Sequence, residues 1–528
     1  MRVLFIYPSL DCPPGINHGV ADLSGVLKAG GHEAGLIHVC EALWPVPTME
    51  ELLNRVREFR PDLVAHSVMS QQYAWSVEVA KAIRATLGIP QIIGGVHCTM
   101  VPDDVVNEAH YEFVCVGEGE NALRELVDRM ASGGDLTTVP NMRIPARFSP
   151  TGEVIVNPVA PFPDLETLPE QDFELFDLDH IIRVKKGWMG MLTSRGCPYK
   201  CTYCFNKEIV DRYVEDGAVK KAKEYLRHFP VQRVIREIRE LKERHPHITT
   251  LIFDDDLFTL NRQYVEEFTK AYSESGIGLP YVVNAHVQQF SDEMAKQLKD
   301  SGCMIVKYGL ESGSDEIRRK VLWRFMTNDA IERAFRAAHD QDLHTSAFVM
   351  FGLPFETREH IFETIELCAR VKMGRFRWAI FFPFPGTAGY RISHDNNLID
   401  HEKMARLGNY FDGSCLRFGP EHDLFLEKLG RVFHWYVNAA SDWPSAGLYK
   451  KLVDEVEAYD RATFDRVKHT LHERDRELSE ELLSKGIPHY SIRYSHVMAV
   501  NSEFVTWERR ELAHARGSGQ GPITYTLD

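Results

Sequence analysis

Residues 195–207 read RGCPYKCTYCFNK. Cys197, Cys201 and Cys204 fall within eight residues in a C-x3-C-x2-C spacing, with Gly196 and Pro198 flanking the first. The segment just before, residues 189–194, is a short apolar run of the kind that forms a buried strand. A loop that follows a strand is where α/β folds keep their chemistry. Three thiolates this close suit a metal. A structural zinc closes a tetrahedron and needs a fourth ligand, for which His228 and His245 are distant in sequence and lie in helical patterns. An iron–sulfur cube has four irons, so three cysteines leave one iron open, as chemistry requires.

Working outward, residues 188–390 alternate strand and helix. Strands are predicted at 189–194, 250–253, 281–284, 305–309, 346–351 and 377–382, with helices between, for example 263–273 and 359–371. Six such units imply a partial parallel barrel, (β/α)6 and TIM-like, with function on the loops after the strands. Those loops hold Asp254, Asp255 and Asp256 in FDDDLF, Glu311 and Ser312 in YGLESGS, and the segments MFGLPFET and FFPFPGT. Asn284, His286 and Gln288 alternate, so they share one face of the third strand. Carboxylates and hydroxyls suit an ammonium group and a ribose, although any one acid can equally be a surface salt bridge or a helix cap.

Residues 1–135 show a separate alternation of five strands, at 3–7, 36–39, 63–68, 91–93 and 113–116. This predicts a doubly wound parallel sheet, which binds ligands beyond the carboxyl ends of its strands. The segments there contain glycines and small hydroxyls: 11–17, 67–73, 94–99 and 117–120. Thr48 and Glu51 form a capping box ahead of a helix. Residues 136–187 read as a linker rich in proline and acids, with one small hairpin near 150–152. From 391 to 528 the alternation gives way to helical patterns; Phe425, Leu429, Val432 and Phe433 recur at helical spacing and read as core. The chain is thus α/β with a mainly helical C-terminal region capping the substrate side.

Composition narrows the class. The 528 residues exceed one ordinary domain, 44% are hydrophobic, and no apolar run reaches the ~18 residues of a membrane span. A net charge of −15 argues against a nucleic-acid footprint. The basic stretch 220–244 carries Val231, Val234, Ile235, Ile238 and Leu241 at helical spacing and reads as a solvated helix face. Seven of the ten cysteines are isolated, which predicts reduced thiols and a cytoplasmic protein.

The cysteine spacing, with Tyr203 just before the last cysteine, resembles the radical S-adenosylmethionine superfamily. GGVHCTMVPDDVV and VCVGEGENALRELV resemble the cobalamin-binding domain that precedes the barrel in one class of it, class B. The resemblance implies an oxygen-sensitive 4Fe–4S cluster on Cys197, Cys201 and Cys204, with S-adenosylmethionine on the open iron. It implies S-adenosylmethionine contacts at Tyr203, Asp255, Asn284, Glu311 and Ser312, and cobalamin contacts at Ser67, Gly94, Gly95, His97, Gly117, Glu118 and Gly119. The Asp-x-His-x-x-Gly motif of proteins that give a histidine to cobalt is absent, so no histidine ligand is expected.

The activity implied is methylation of an unactivated carbon, or of phosphorus, in a small-molecule substrate. One S-adenosylmethionine methylates the corrinoid and a second yields the 5′-deoxyadenosyl radical. An electron donor such as flavodoxin or ferredoxin is implied as partner. Two other readings stay open: ring formation or rearrangement by the same architecture without methyl transfer, and a non-catalytic corrinoid or metal-binding sensor.

Overall fold

The computed structural model describes residues 1–407, 413–494 and 501–504, in two compact units. The first comprises Met1–Pro230 with Phe384–Ala388, the second Val231–Pro383 with the residues from Gly389 onward. Among the described residues no helix is long and apolar enough to cross a membrane.

The first unit is built on a sheet in the order β2-β1-β3-β4-β5-β6-β7. Its strands are β1 (Arg2–Pro8), β2 (Glu33–Val39), β3 (Leu63–Ser67), β4 (Gln91–Gly94), β5 (Phe113–Cys115), β6 (Met142–Ile144) and β7 (Ile155–Val156). Pairings from β1 through β5 are parallel, and β6 and β7 add on antiparallel. Alternation along β1 covers both faces. Val3 and Phe5 pack with Val20, Leu27 and Leu123 on one side; Leu4 and Ile6 pack with Leu52, Val56 and Ile83 on the other. Each such side chain contributes about 1.5–3 kcal/mol by leaving water. The five parallel strands and the capping box at Thr48 match the sequence reading, with Thr48 bonded to Glu51 in both directions. The linker is less detached than expected. Its hairpin is the β6–β7 pair, and β6 extends the sheet by pairing with β5, with Met142 and Ile144 buried.

The unit continues through the helix Leu178–Val184, β8 (Trp188–Met191), β9 (Ser194–Arg195), the cysteine loop, the helix Phe205–Glu215 and β10 (Arg227–His228), which pairs antiparallel with β9. The chain returns to this unit for Phe384–Ala388. There Gly386, at φ +87°, packs so closely that a Cβ would lie 2.7 Å from the carbonyl oxygen of Met100.

In the second unit β11 (Thr250–Phe253), β12 (Tyr281–Ala285), β13 (Cys303–Glu311), β14 (His344–Phe351) and β15 (Arg375–Ile380) are parallel neighbours in that order, the curled open sheet of a partial barrel. Helices Arg262–Glu274, Asp292–Asp300, Asn328–His339 and Arg358–Val371 connect them. The basic helix Val231–Arg244 buries its five predicted apolar positions. The C-terminal region is helical over Pro420–Ala439, Ala446–Glu457 and Leu471–Ser484, but it also contributes two strands. β16 (Tyr490–Tyr494) and β17 (Asn501–Phe504) pair antiparallel, and β17 covers the edge of β15, which would otherwise expose unpaired backbone. Tyr490 fixes this addition: its ring lies 4.8 Å from that of Phe376 and its hydroxyl donates to Met373 O at 2.8 Å. His434, Trp435 and Tyr436 are core residues. Asp475 accepts from His434 Nε2 and Trp435 Nε1, both at 2.6 Å, and from the Ile492 amide at 2.8 Å.

Candidate active site

The cysteine loop begins where β9 ends. Gly196 takes φ +93°, and a Cβ there would overlap the carbonyl of Tyr225, so only glycine lets the chain turn so close to its neighbour. The Cys204 amide donates to Cys201 O at 3.1 Å, closing a turn that has Tyr203 at its third position. Cys201 is buried, Cys197 and Cys204 are half-buried, and none is in a disulfide. Past the loop, Asn206 Oδ1 accepts from the Tyr225 hydroxyl at 2.9 Å. Three reduced thiols on a short, doubly anchored loop are a donor set that fits a cluster with one open iron.

The loop is also tied to the carboxyl end of β5. Arg195, immediately before Gly196, reaches Asp22 Oδ2 and Glu120 Oε1 at 2.6 Å and Glu118 Oε2 at 3.1 Å. Arg227, its partner across the β9–β10 ladder, forks onto both oxygens of Glu118. The Glu118 amide donates to Tyr213 Oη at 2.8 Å, and Tyr213 stacks on Phe162 at 3.8 Å. Gly117 takes φ +82° and leaves space for that hydroxyl, which a Cβ would overlap.

The expected cobalamin residues gather at one sheet edge. Ser67 Oγ accepts from Asn17 Nδ2 at 3.4 Å, across the point where strand order reverses between β1 and β3. Thr99 donates to Gly95 O and accepts from the Gly117 amide, joining the loops after β4 and β5. His97 bonds Ser70 Oγ at 3.0 Å and its ring lies tilted 4.1 Å from that of Tyr73, while burial pulls its pKa down to about 4. Gly95, at φ +101°, gives space to the chain itself: a Cβ would lie 2.6 Å from Val68 O. Gly94 and Gly119 stand beside Cys115, each with Cys115 side-chain atoms 3.4–3.5 Å from an added Cβ. Hydroxyl and amide groups with small residues at this edge fit a corrinoid, and His97 is already committed to Ser70.

The second unit collects the remaining expected residues at its strand ends. Asn284 Nδ2 donates to the Asp255 carbonyl at 2.7 Å, joining the ends of β11 and β12. Asp255 is fully buried. Glu311 ends β13 in the left-handed region at φ +64°, and it crowds Gly309 together with Arg324. Arg324 also donates to Gly309 O at 2.6 Å. Ser312 is engaged by its neighbours: its hydroxyl is hydrogen-bonded to that of Thr364 at 3.3 Å and its carbonyl accepts from Arg318. His286 is held down to about pH 3, first by burial and then by Arg324.

Three residues were not picked out from sequence. Glu356, in MFGLPFET after β14, is buried, and its pKa is pushed up to about 8 by burial. An acid between an apolar strand and a helix cap was a signal for it. Arg195 and Arg324 gave none, because each finds its partners only in the fold.

Residues 191–368 match the Radical SAM superfamily, and residues 13–127 match the B12 binding domain. An uncharacterized methyltransferase from Pyrococcus horikoshii is 27% identical over 386 residues, covering 72% of this chain and 79% of that protein. The anaerobic magnesium-protoporphyrin IX monomethyl ester cyclase of Rubrivivax gelatinosus is 23% identical over 422 residues, covering 76% of this chain and 72% of that protein. Among solved structures, the radical S-adenosylmethionine methyltransferase TsrM from Kitasatospora setae superposes with a TM-score of 0.59 at 18% identity, covering 76% of this chain and 77% of that one. Identity that low speaks for the fold alone.

Proposed function

From a chain that carries a B12-binding domain ahead of a radical S-adenosylmethionine domain, we propose a cobalamin-dependent radical S-adenosylmethionine methyltransferase acting on a small molecule. The observation that carries this reading is the seat of the three-cysteine loop, which hangs from the ligand-binding edge of a parallel sheet within one compact unit. The two domains imply a 4Fe–4S cluster, S-adenosylmethionine and cobalamin, which when bound supply a hydrogen-abstracting radical and a transferable methyl group.

The chain's own part is to hold and orient. Cys197, Cys201 and Cys204 would hold the cluster through three thiolates. Ser67, Gly94, Gly95, His97, Gly117, Glu118 and Gly119 form the corrinoid edge; Glu118 and His97 act there by fixing the loops through their own partners. For the cosubstrate we assign Tyr203 beside the cysteines and Asp255, Asn284, Glu311 and Ser312 in the second unit. Glu311 can accept from an ammonium or a ribose hydroxyl, whereas Ser312, with its hydroxyl on Thr364, its carbonyl on Arg318 and its amide on Leu310, shapes the loop beside it. A reductant of the flavodoxin or ferredoxin type completes the system, and the cytoplasm is the compartment we assign. A second reading, oxidative ring formation without methyl transfer, is favoured by the similarity to the cyclase.

Anaerobic, reduced, reconstituted protein should release 5′-deoxyadenosine and pass label from methyl-labelled S-adenosylmethionine to a small-molecule product. Release without label transfer favours ring formation or rearrangement. No release at all returns the chain to a binding role. Glu311→Ala should keep the cluster and lose ten- to hundredfold in cleavage at sub-saturating cosubstrate, roughly the worth of one charge-assisted hydrogen bond.

A further inference from the structure

We propose that Arg195 is a positioning residue: its ion pairs with Asp22, Glu118 and Glu120 hold the cysteine loop at a fixed place on the corrinoid edge. The inference rests on Cys197, Cys201 and Cys204 being the cluster ligands. Arg195 is 14% exposed, and the Asp22 and Glu120 side chains are 1% and 4% exposed. The three acids come from two different elements. Asp22 lies on the helix His18–Ala29, and Glu118 and Glu120 lie where β5 leads into the helix Glu120–Ser132. Gln171 Nε2 also donates to Asp22 Oδ2, at 2.7 Å.

A cluster of this kind adds little net stability over apolar packing, because desolvation of the charges cancels most of their attraction. What it specifies is geometry. A guanidinium has its donors in one rigid plane, so acids on several sides fix both its place and its rotation. Arg195 adjoins Gly196, so whatever fixes Arg195 fixes the first residues of the loop. The far end of the loop is fixed in the same frame. Asn206 is bonded by Tyr225, whose carbonyl packs on Gly196, and the helix Phe205–Glu215 rests on Gly117 and Glu118 through Tyr213. Arg227 closes the ring, forking onto Glu118 while lying 4.5 Å over Phe162. The acids of the run 117–120 form a clasp: through Arg195 and Arg227 they hold the cysteine loop against the sheet edge.

The test uses the full chain, prepared anaerobically, before and after reconstitution with iron and sulfide. Arg195→Gln should speed amide exchange about tenfold in peptides spanning 117–122 and 196–206, with residues 63–67 of β3 unchanged, because a lost clasp opens both of its halves. After reconstitution it should retain iron and shift the electron paramagnetic resonance spectrum of the reduced cluster, with Arg195→Lys intermediate. Asp22→Asn, on the opposite side of the clasp, should also speed exchange in 196–206, and it decides the matter if Arg195→Gln does not fold. Exchange confined to the mutated segment, or a spectrum identical to the parent's in both variants, overturns the proposal. If the triple cysteine-to-alanine variant keeps its iron, the cluster reading has failed. If that variant loses iron while the Arg195 and Asp22 variants behave like the parent, the positioning role alone has failed.

Discussion

Buried acids are treated in two opposite ways, one example in each unit. In the first, Asp22, Glu118 and Glu120 converge on Arg195, and Glu118 has Arg227 as well. In the second, Glu356 is 3% exposed, accepts one hydrogen bond from the Leu353 amide, and leaves Oε1 without a partner among the described residues. Burial then pushes its pKa up to about 8, so at neutral pH the carboxyl keeps its proton. Burial raises the pKa of Glu120 too, but there Arg195 pulls the other way and the pairing fixes geometry. An unpaired acid gives the charge up, and it becomes a group whose state follows pH.

The largest effect is expected at the loop that the paired acids hold. Replacing Cys197, Cys201 and Cys204 together with alanine should abolish iron binding in anaerobic reconstitution, measured by iron content. Cys303→Ala or Cys415→Ala should leave it intact. Within the second unit, Asp475 is the paired counterpart of Glu356. Asp475→Ala leaves three buried donors unmatched and should lower the unfolding free energy by about 3–5 kcal/mol, read by denaturant titration.

Glu356 itself makes a pH prediction. Its folded pKa is about 8 against an ordinary 4.5, so between those values the unfolded chain sheds a proton that the fold retains. Stability should therefore fall as pH rises through that window and level off above it. Glu356→Gln should remove this slope and, above pH 8, exceed the parent by a few kcal/mol in denaturant unfolding. Gly117→Ala sharpens the other side of the comparison. The new methyl group would displace Tyr213 Oη and strain a backbone at φ +82°, at a cost of about 1–3 kcal/mol in thermal or chemical unfolding. The smallest effect belongs to a residue outside both strand ends. Thr48→Ala removes one exposed helix cap, worth about 1 kcal/mol by the same measurement.

Local periodicity made most of the fold legible. The parallel strands of both units and the basic helix Val231–Arg244 follow from apolar runs and spacings a few residues long. The cysteine loop was legible because its three cysteines are neighbours in sequence. The clasp was not, since Arg195 meets Asp22 across 173 residues and Glu118 across 77, and no local pattern marks either pairing. In the same way GEGE in residues 117–120 marks a loop by its glycines, while the pairing of its acids with Arg195 and Arg227 depends on residues far away in sequence. β16 and β17 escaped because an edge strand is dictated by the edge it covers, and β15 lies more than a hundred residues earlier. Glu356 stands between an apolar strand and a helix cap, which marked its position, but its burial is set by the fold and not by the local sequence.

The return of Phe384–Ala388 to the first unit bears on how the protein is made. A ribosome that has finished Pro230 has released nearly all of that unit, yet Gly386, the residue that packs on Met100, is still to come. At about 5–20 residues per second the wait is roughly ten to thirty seconds. During that time any part of the unit that has folded lacks the segment that packs on Met100, so the nascent chain passes through a state that the finished protein never needs to visit.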